Sequence, residues 1–258
     1  MKSMKPWLAL VVALLGITSV QAADMDKTNV IRDYTDTVVP AGQQAYEAGV
    51  KSYNHCLSQH GYKYTWTALT HETGDTYQYS YVSAPYTWAD FDAMHTAGNA
   101  CDQTWRTEVN PHLKSETSAF LVHMPELSHL PNGMPLTSAL TEVTYFKLKP
   151  GHEASEAFTN VAKKITAAAE KSNWSGHYMI ARVQDGGQGA PNFIVVSFSK
   201  SWADLGDAPS PSLWKMVEST YGKQDTDAMR KSLNDAIQDQ SSHVDSYSAD
   251  LTYPTPGK

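Results

Sequence analysis

The chain reads twice. Val38-Val39-Pro40-Ala41-Gly42, an amphipathic helix and Thr87-Trp88-Ala89-Asp90-Phe91 return as Leu148-Lys149-Pro150-Gly151-His152, a second helix and Ser201-Trp202-Ala203-Asp204-Leu205. The copies stand 110 residues apart at the prolines and 114 at the tryptophans, so they differ by one short insertion. Their ends also correspond, Ala119 to Pro125 answering Ser248 to Pro254. A period this long reads as one duplicated supersecondary unit, which constrains architecture more tightly than chemistry.

Within each copy the periodicity changes in the same order. Tyr46, Gly49, Val50, Tyr53 and Leu57, and later Phe158, Val161, Ile165 and Ala168, recur at helical spacing. Strand, turn and strand follow: residues 62–69 and 76–82 in the first copy, 176–183 and 192–198 in the second. The glycine-rich run Asp185 to Gly189 lies between two strands, so it reads as a hairpin connection and not as a phosphate loop. A second helix starts at Trp88 or Trp202 with Thr87 or Ser201 as N-cap. In the second copy Pro209 and Pro211 break it, and helix resumes through Trp214, Val217 and Tyr221 and from Asp225 to Gln240. An opening strand, clearest at Glu142 to Leu148, and a closing strand complete each unit.

That order is the β-α-β-β-α-β ferredoxin-like unit. The expected fold class is α+β: tandem units over 23–124 and 139–258, joined by a linker at 125–138, with antiparallel sheets packed face to face as a barrel. In topology and repeat length this resembles the dimeric α/β-barrel superfamily with both halves fused in one chain. The resemblance implies company that includes haem-binding enzymes, monooxygenases of polycyclic or quinol-type substrates, and isomerases.

Residues 1–22 carry Lys2 and Lys5, an apolar core from Trp7 to Ile17, and Val20-Gln21-Ala22, the pattern of a bacterial secretory signal peptide cut before Ala23. The apolar core is shorter than the roughly 20 residues needed to span a bilayer. No membrane span is expected after cleavage, and the expected location is periplasmic or secreted. Losing two lysines and no acids would take the formal charge from -7 to -9. An acidic chain without basic clusters argues against a nucleic-acid partner. In an oxidising compartment the only two cysteines, Cys56 and Cys101, read as a disulfide.

Tyr64 and Trp66 share one strand face, as do Tyr79 and Tyr81, and the second copy sets His177, Met179, Phe193 and Val195 opposite them. Tyr145 joins the set by alternation. An apolar face comprising Phe146, Leu148, Ile180, Ile194, Val196 and Phe198 is assigned to the helices, leaving the aromatic face toward the space between the sheets. Tyrosines there would either fill the core or line a pocket for a small aromatic or lipid-like ligand.

Haem-binding members with two fused units place an axial histidine on a second-half helix, and no histidine lies between Ser201 and Gln240. His95 is the one histidine in a comparable helical place, so haem remains an open cofactor with His95 as its candidate ligand. His123, Met124 and His129, with Met134 following, offer imidazole and thioether donors that suit copper, although their spacing is loose. No hydrolase elbow, zinc-protease or phosphate-loop motif is present. The primary expectation is therefore an exported binding protein. The alternatives are an oxidoreductase, cofactor-free or haem-using, with His95 or His177 near a tyrosine, and a structural or interaction protein.

Overall fold

The computed structural model describes residues 29–131 and 138–254. The expected signal peptide and residues 132–137 of the expected linker, Met134 among them, lie outside the described residues. The described residues form eight strands, β1 (Val30–Val38), β2 (Trp66–His71), β3 (Gln78–Ser83), β4 (Leu113–His123), β5 (Leu140–Leu148), β6 (Tyr178–Gln184), β7 (Phe193–Ser199) and β8 (Ile237–Tyr247), with helices after β1, β3, β5 and β7. They close in the order β1-β3-β2-β8-β5-β7-β6-β4.

This overturns the expectation of tandem ferredoxin-like units packed sheet on sheet. Antiparallel pairing of β2 with β8 and of β4 with β6 runs across the halves, so one continuous eight-stranded barrel replaces two opposed sheets. The physical reason is edge satisfaction. Two separate sheets would leave four edges with unpaired N–H and C=O groups, whereas closure leaves none.

The helices lie outside the barrel. In α4 (His152–Ser172) Phe158, Val161, Ala162, Ile165, Ala168 and Ala169 repeat at helical spacing and pack on Phe146, Tyr178, Ile180 and Phe193. Burying each large apolar side chain there stabilises by about 1.5–3 kcal/mol. Trp202–Gly206 (α5), Leu213–Tyr221 (α6) and Lys223–Ala236 (α7) complete that side, Met216, Val217 and Met229 reaching the same core.

The other side carries α1 (Gln43–Gln59) and α2 (Trp88–Gly98). Thr87 caps α2 as expected, and the cap is reciprocal: Asp90 N–H donates to Thr87 Oγ1 at 3.3 Å and Thr87 N–H donates to Asp90 Oδ2 at 3.0 Å. Beyond α2 the chain continues through a 3-10 turn, α3 (Asp102–Thr104) and a π-helical turn at Trp105–Val109. Gly49 lets this turn press on α1, since a Cβ there would lie 2.1 Å from the Glu108 carbonyl oxygen. The Cys56–Cys101 disulfide joins α1 to the end of α2, with a Cα separation of 5.9 Å. Asp185 to Gly189 connects β6 to β7 as a hairpin.

One closing strand differs from the sequence expectation. The last strand is Ile237–Tyr247, not Ser248 to Pro254, and the preceding helix ends at Ala236, not Gln240. No helix of the described residues is long and apolar enough to cross a membrane.

A candidate aromatic cleft between helix and barrel

The period of two along β1 sends Arg32, Tyr34 and Asp36 outward toward α1 and α2, and Ile31, Asp33 and Thr35 into the barrel. On β2 and β3 the outward set is Trp66, Ala68, Tyr79 and Tyr81, which pack against Tyr46 and Val50 of α1. The aromatic face therefore meets the helices and not the barrel interior, the reverse of the sequence assignment. Alternation shows that two faces differ without showing which one a helix covers. Here the tyrosine hydroxyls find their partners on the helix: Tyr79 donates to Glu47 Oε1 at 2.7 Å, and the Tyr81 hydroxyl lies 2.8 Å from that of Tyr46.

The second half departs from its assignment only in part: Phe146, Leu148 and Ile180 lie helix-side and Tyr145 and Met179 inward as assigned, while Phe193 and Val195 exchange sides with Ile194, Val196 and Phe198. Phe146, Leu148, Ile180, Phe193 and Val195 join the helix-side core. Ile194 and Val196 belong to the interior cluster with Val143 and Ala181, and Tyr145 packs beside them. Met179 likewise lines the interior.

Between the helices and the outward face of the first four strands lies a cleft of about 550 Å³, within the range of small-molecule sites. Its walls include Tyr53, Tyr62, Tyr64, Trp66, Phe91, Met94, Trp105 and Phe120. Trp66 lies near-parallel to Tyr53 at a centroid distance of 6.4 Å, and Tyr53 meets Trp105 edge-on at 5.1 Å. Such rings offer a flat apolar surface with polar tips.

Three polar groups give the cleft its chemistry. Arg32 extends over Phe120, its guanidinium carbon 4.2 Å from the ring centroid, and donates from Nη2 to Ser118 Oγ at 2.8 Å. Arg32 Nε is buried without a partner, as is Asp36 Oδ1. Asp36 Oδ2 lies 2.6 Å from the Tyr46 hydroxyl. Burial pushes the Asp36 carboxyl up to about 7; the Tyr46 hydrogen bond opposes that shift in part, and the Glu116 carboxyl on the neighbouring strand adds to it.

The Tyr46 hydroxyl has one proton and two close oxygen neighbours, so the chain has two settings. With Asp36 ionised, Tyr46 donates to it and Tyr81 donates to Tyr46. With Asp36 protonated, Asp36 donates to Tyr46 and Tyr46 to Tyr81. Burial holds both phenols well above their usual range, so each relays a proton without ionising.

Of the residues singled out by sequence, Tyr64, Trp66, Tyr81 and His95 line this cleft, and Tyr79 stands behind it against Tyr46 at a centroid distance of 4.9 Å. Tyr145 and Met179 face the barrel interior. His177 sits beside His129 at 5.5 Å, before β6 and in the other half. His123 and His129 do not converge: His123 Nε2 pairs with Ser128 Oγ at 3.3 Å and His129 Nε2 with the Trp174 carbonyl at 3.1 Å. Met124 packs against the α4 core. Arg32 and Asp36 escaped the sequence reading. Their signal was three charged residues, Arg32, Asp33 and Asp36, in a strand that begins Val30-Ile31 and ends Thr37-Val38.

No protein-family model matches the sequence, and no curated protein matches it. The fold, however, is shared with solved structures. A candidate monooxygenase from Lactobacillus acidophilus NCFM superposes with a TM-score of 0.53 at 10% identity, covering 89% of this chain and 97% of that one. An anthrone oxidase-like protein gives 0.54 at 13% identity, covering 91% and 96%. A mutant chlorite dismutase from Candidatus Nitrospira defluvii gives 0.53 at 14% identity, covering 86% and 92%. At these identities the likeness is one of fold alone, a closed eight-stranded antiparallel barrel with helices outside it.

Proposed function

We propose that the protein is an exported bacterial oxidoreductase that oxidises a flat, electron-rich phenolic or polycyclic molecule in the cleft between α1, α2 and the barrel. The observation that carries this is a ring-walled cleft in which one carboxylate oxygen and one guanidinium N–H are buried without partners. A passive apolar pocket gains nothing from leaving two such groups unsatisfied, because each costs free energy until a ligand meets it. The leader-like N-terminus supports export, and the structural likeness to a candidate monooxygenase and an anthrone oxidase-like protein supports the reaction class.

Asp36 acts as the general base in this reading. A carboxylate whose proton affinity is raised by burial takes a phenolic or benzylic proton more readily than an exposed one does. Arg32 faces the anion so formed, and the protonated Asp36 donates to the Tyr46 hydroxyl while Tyr46 turns its own proton to Tyr81. The co-substrate is dioxygen. For anthrone as a probe, one molecule of dioxygen converts the ring methylene to a carbonyl and leaves as one carbonyl oxygen and one water, a four-electron oxidation that yields anthraquinone.

Haem fits the cleft less well. His95 is the imidazole on its wall, yet it is exposed and has no hydrogen-bond partner among the described residues that would orient it toward an iron. Among the lining residues the only Arg or Lys is Arg32, with the acids Asp36, Asp102 and Glu116 nearby, a poor match for a porphyrin bearing two carboxylates.

Oxygen uptake with anthrone tests the proposal. Uptake matched by anthraquinone formation, and lost in Asp36→Asn, is expected. Uptake unchanged in that variant removes Asp36 as the base. A haem titration giving a Soret shift in wild type, abolished by His95→Ala, would replace this reading with the haem-using one.

A further inference from the structure

The barrel interior holds a second polar cluster, separated from the cleft by the strands themselves. His71 on β2 and His243 and Asp245 on β8 bring one donor atom each to within 4.8 Å of one another. His71 Nε2 is 3.6 Å and His243 Nε2 is 3.0 Å from Asp245 Oδ1. Ligands about 2.0–2.2 Å from a shared ion stand roughly 3.0–3.5 Å apart. The Asp245 side chain is 1% exposed, yet its Oδ1 makes no hydrogen bond of acceptable geometry, and neither does His243 Nε2. Asp33 of β1 lines the same space with its own Oδ1 buried and unpartnered. A buried carboxylate is paired, neutralised by a proton or bound to a metal, and the two imidazoles turned on Asp245 Oδ1 form a donor set suited to the last of these.

Access is present as well. Cavities of about 420 and 470 Å³ enter along the strands from either side of Asp33, one lined by Thr35, His71 and His243, the other by Ile31 and Asp245.

We propose that His71, His243 and Asp245 bind one divalent transition-metal ion inside the barrel, with Asp33 farther off as the base for a bound water. Two imidazoles and a carboxylate favour zinc or another first-row ion over magnesium or calcium, which prefer oxygen alone. Binding breaks two contacts. The His71 and His243 rings, near-parallel at 4.1 Å, turn their nitrogens toward one point, and His71 Nε2 leaves Ser80 Oγ, now 3.0 Å away. The site is independent of whatever occupies the cleft.

The test is calorimetric titration of zinc into the chelator-treated full chain, with cobalt as a spectroscopic probe. One ion per chain is expected. Asp245→Asn and His71→Gln should each weaken binding by about a hundredfold or more, since even loss of a supporting partner costs about 10–100-fold. His129→Ala should bind as wild type. Near-UV circular dichroism identifies variants that fail to fold. The cobalt-loaded wild type gives a readout needing no variant: visible ligand-field bands and paramagnetically shifted resonances from two imidazoles. Absence of zinc binding in wild type, equal affinity in the folded variants, or a cobalt form without imidazole resonances overturns the proposal.

Discussion

Replacing Asp36 with asparagine should stabilise the protein at alkaline pH while abolishing its activity. The carboxyl is buried, with one oxygen on Tyr46 and the other unpartnered, and its folded-state value is raised from 3.8 to about 7. An acid whose value is raised on folding contributes stability that is fully present below its unfolded value near 4. That stability is lost as pH climbs through 7. At about 1.4 kcal/mol per unit, a rise of about three units corresponds to a loss on the order of 4 kcal/mol between pH 4 and pH 8. Asparagine imitates the protonated form in shape and never ionises, so it escapes this loss. Urea unfolding at pH 5 and pH 8, followed by far-ultraviolet circular dichroism, is the assay. At pH 5 the two proteins should differ by less than about 1 kcal/mol, and at pH 8 the variant should be the more stable by about 2–4 kcal/mol. Asp33, raised to about 7 chiefly by its own burial, contributes equally to both and cancels in the difference. A variant less stable than wild type at pH 8, or a difference that does not change with pH, would refute the reasoning.

Further outcomes follow from packing. Gly49→Ala drives a methyl into the Glu108 carbonyl and should destabilise by about 1–3 kcal/mol in the same urea assay, more than the few tenths expected at an exposed helix position. Reducing the Cys56–Cys101 bridge should cost up to about 4 kcal/mol on the chain-entropy model for a 45-residue separation, and the far-ultraviolet spectrum should be retained. Phe158→Ala, which removes a ring stacked 4.4 Å from Phe193 in the α4 core, should cost about 3–5 kcal/mol in thermal or chemical unfolding and leave anthrone binding in the cleft unchanged.

The order of elements was legible because helical and strand periodicities are strong where one face is apolar, as in Phe158 to Ala169. Closure of the barrel was not, because the joining strand β8 reads Ile237-Gln-Asp-Gln-Ser-Ser-His-Val-Asp-Ser-Tyr247 and shows no hydrophobic alternation. Its strand character comes from pairing on both sides, with β2 and with β5. The same polarity hid His243 and Asp245, which read as surface residues until the barrel encloses them. At the cleft the aromatic residues were visible, yet their direction depended on which face α1 covers. That choice is set by tertiary hydrogen bonds such as Tyr46 to Asp36, and single-strand periodicity does not encode it.

The organic molecule should sit in the aromatic cleft outside the barrel and not within it. A crystal structure of the chain grown anaerobically with anthrone should show the ligand between Trp66 and Met94, with its oxygen within hydrogen-bonding reach of Arg32 or Asp36. Ligand found inside the barrel beside Tyr145, or an empty cleft at saturating anthrone, would contradict it.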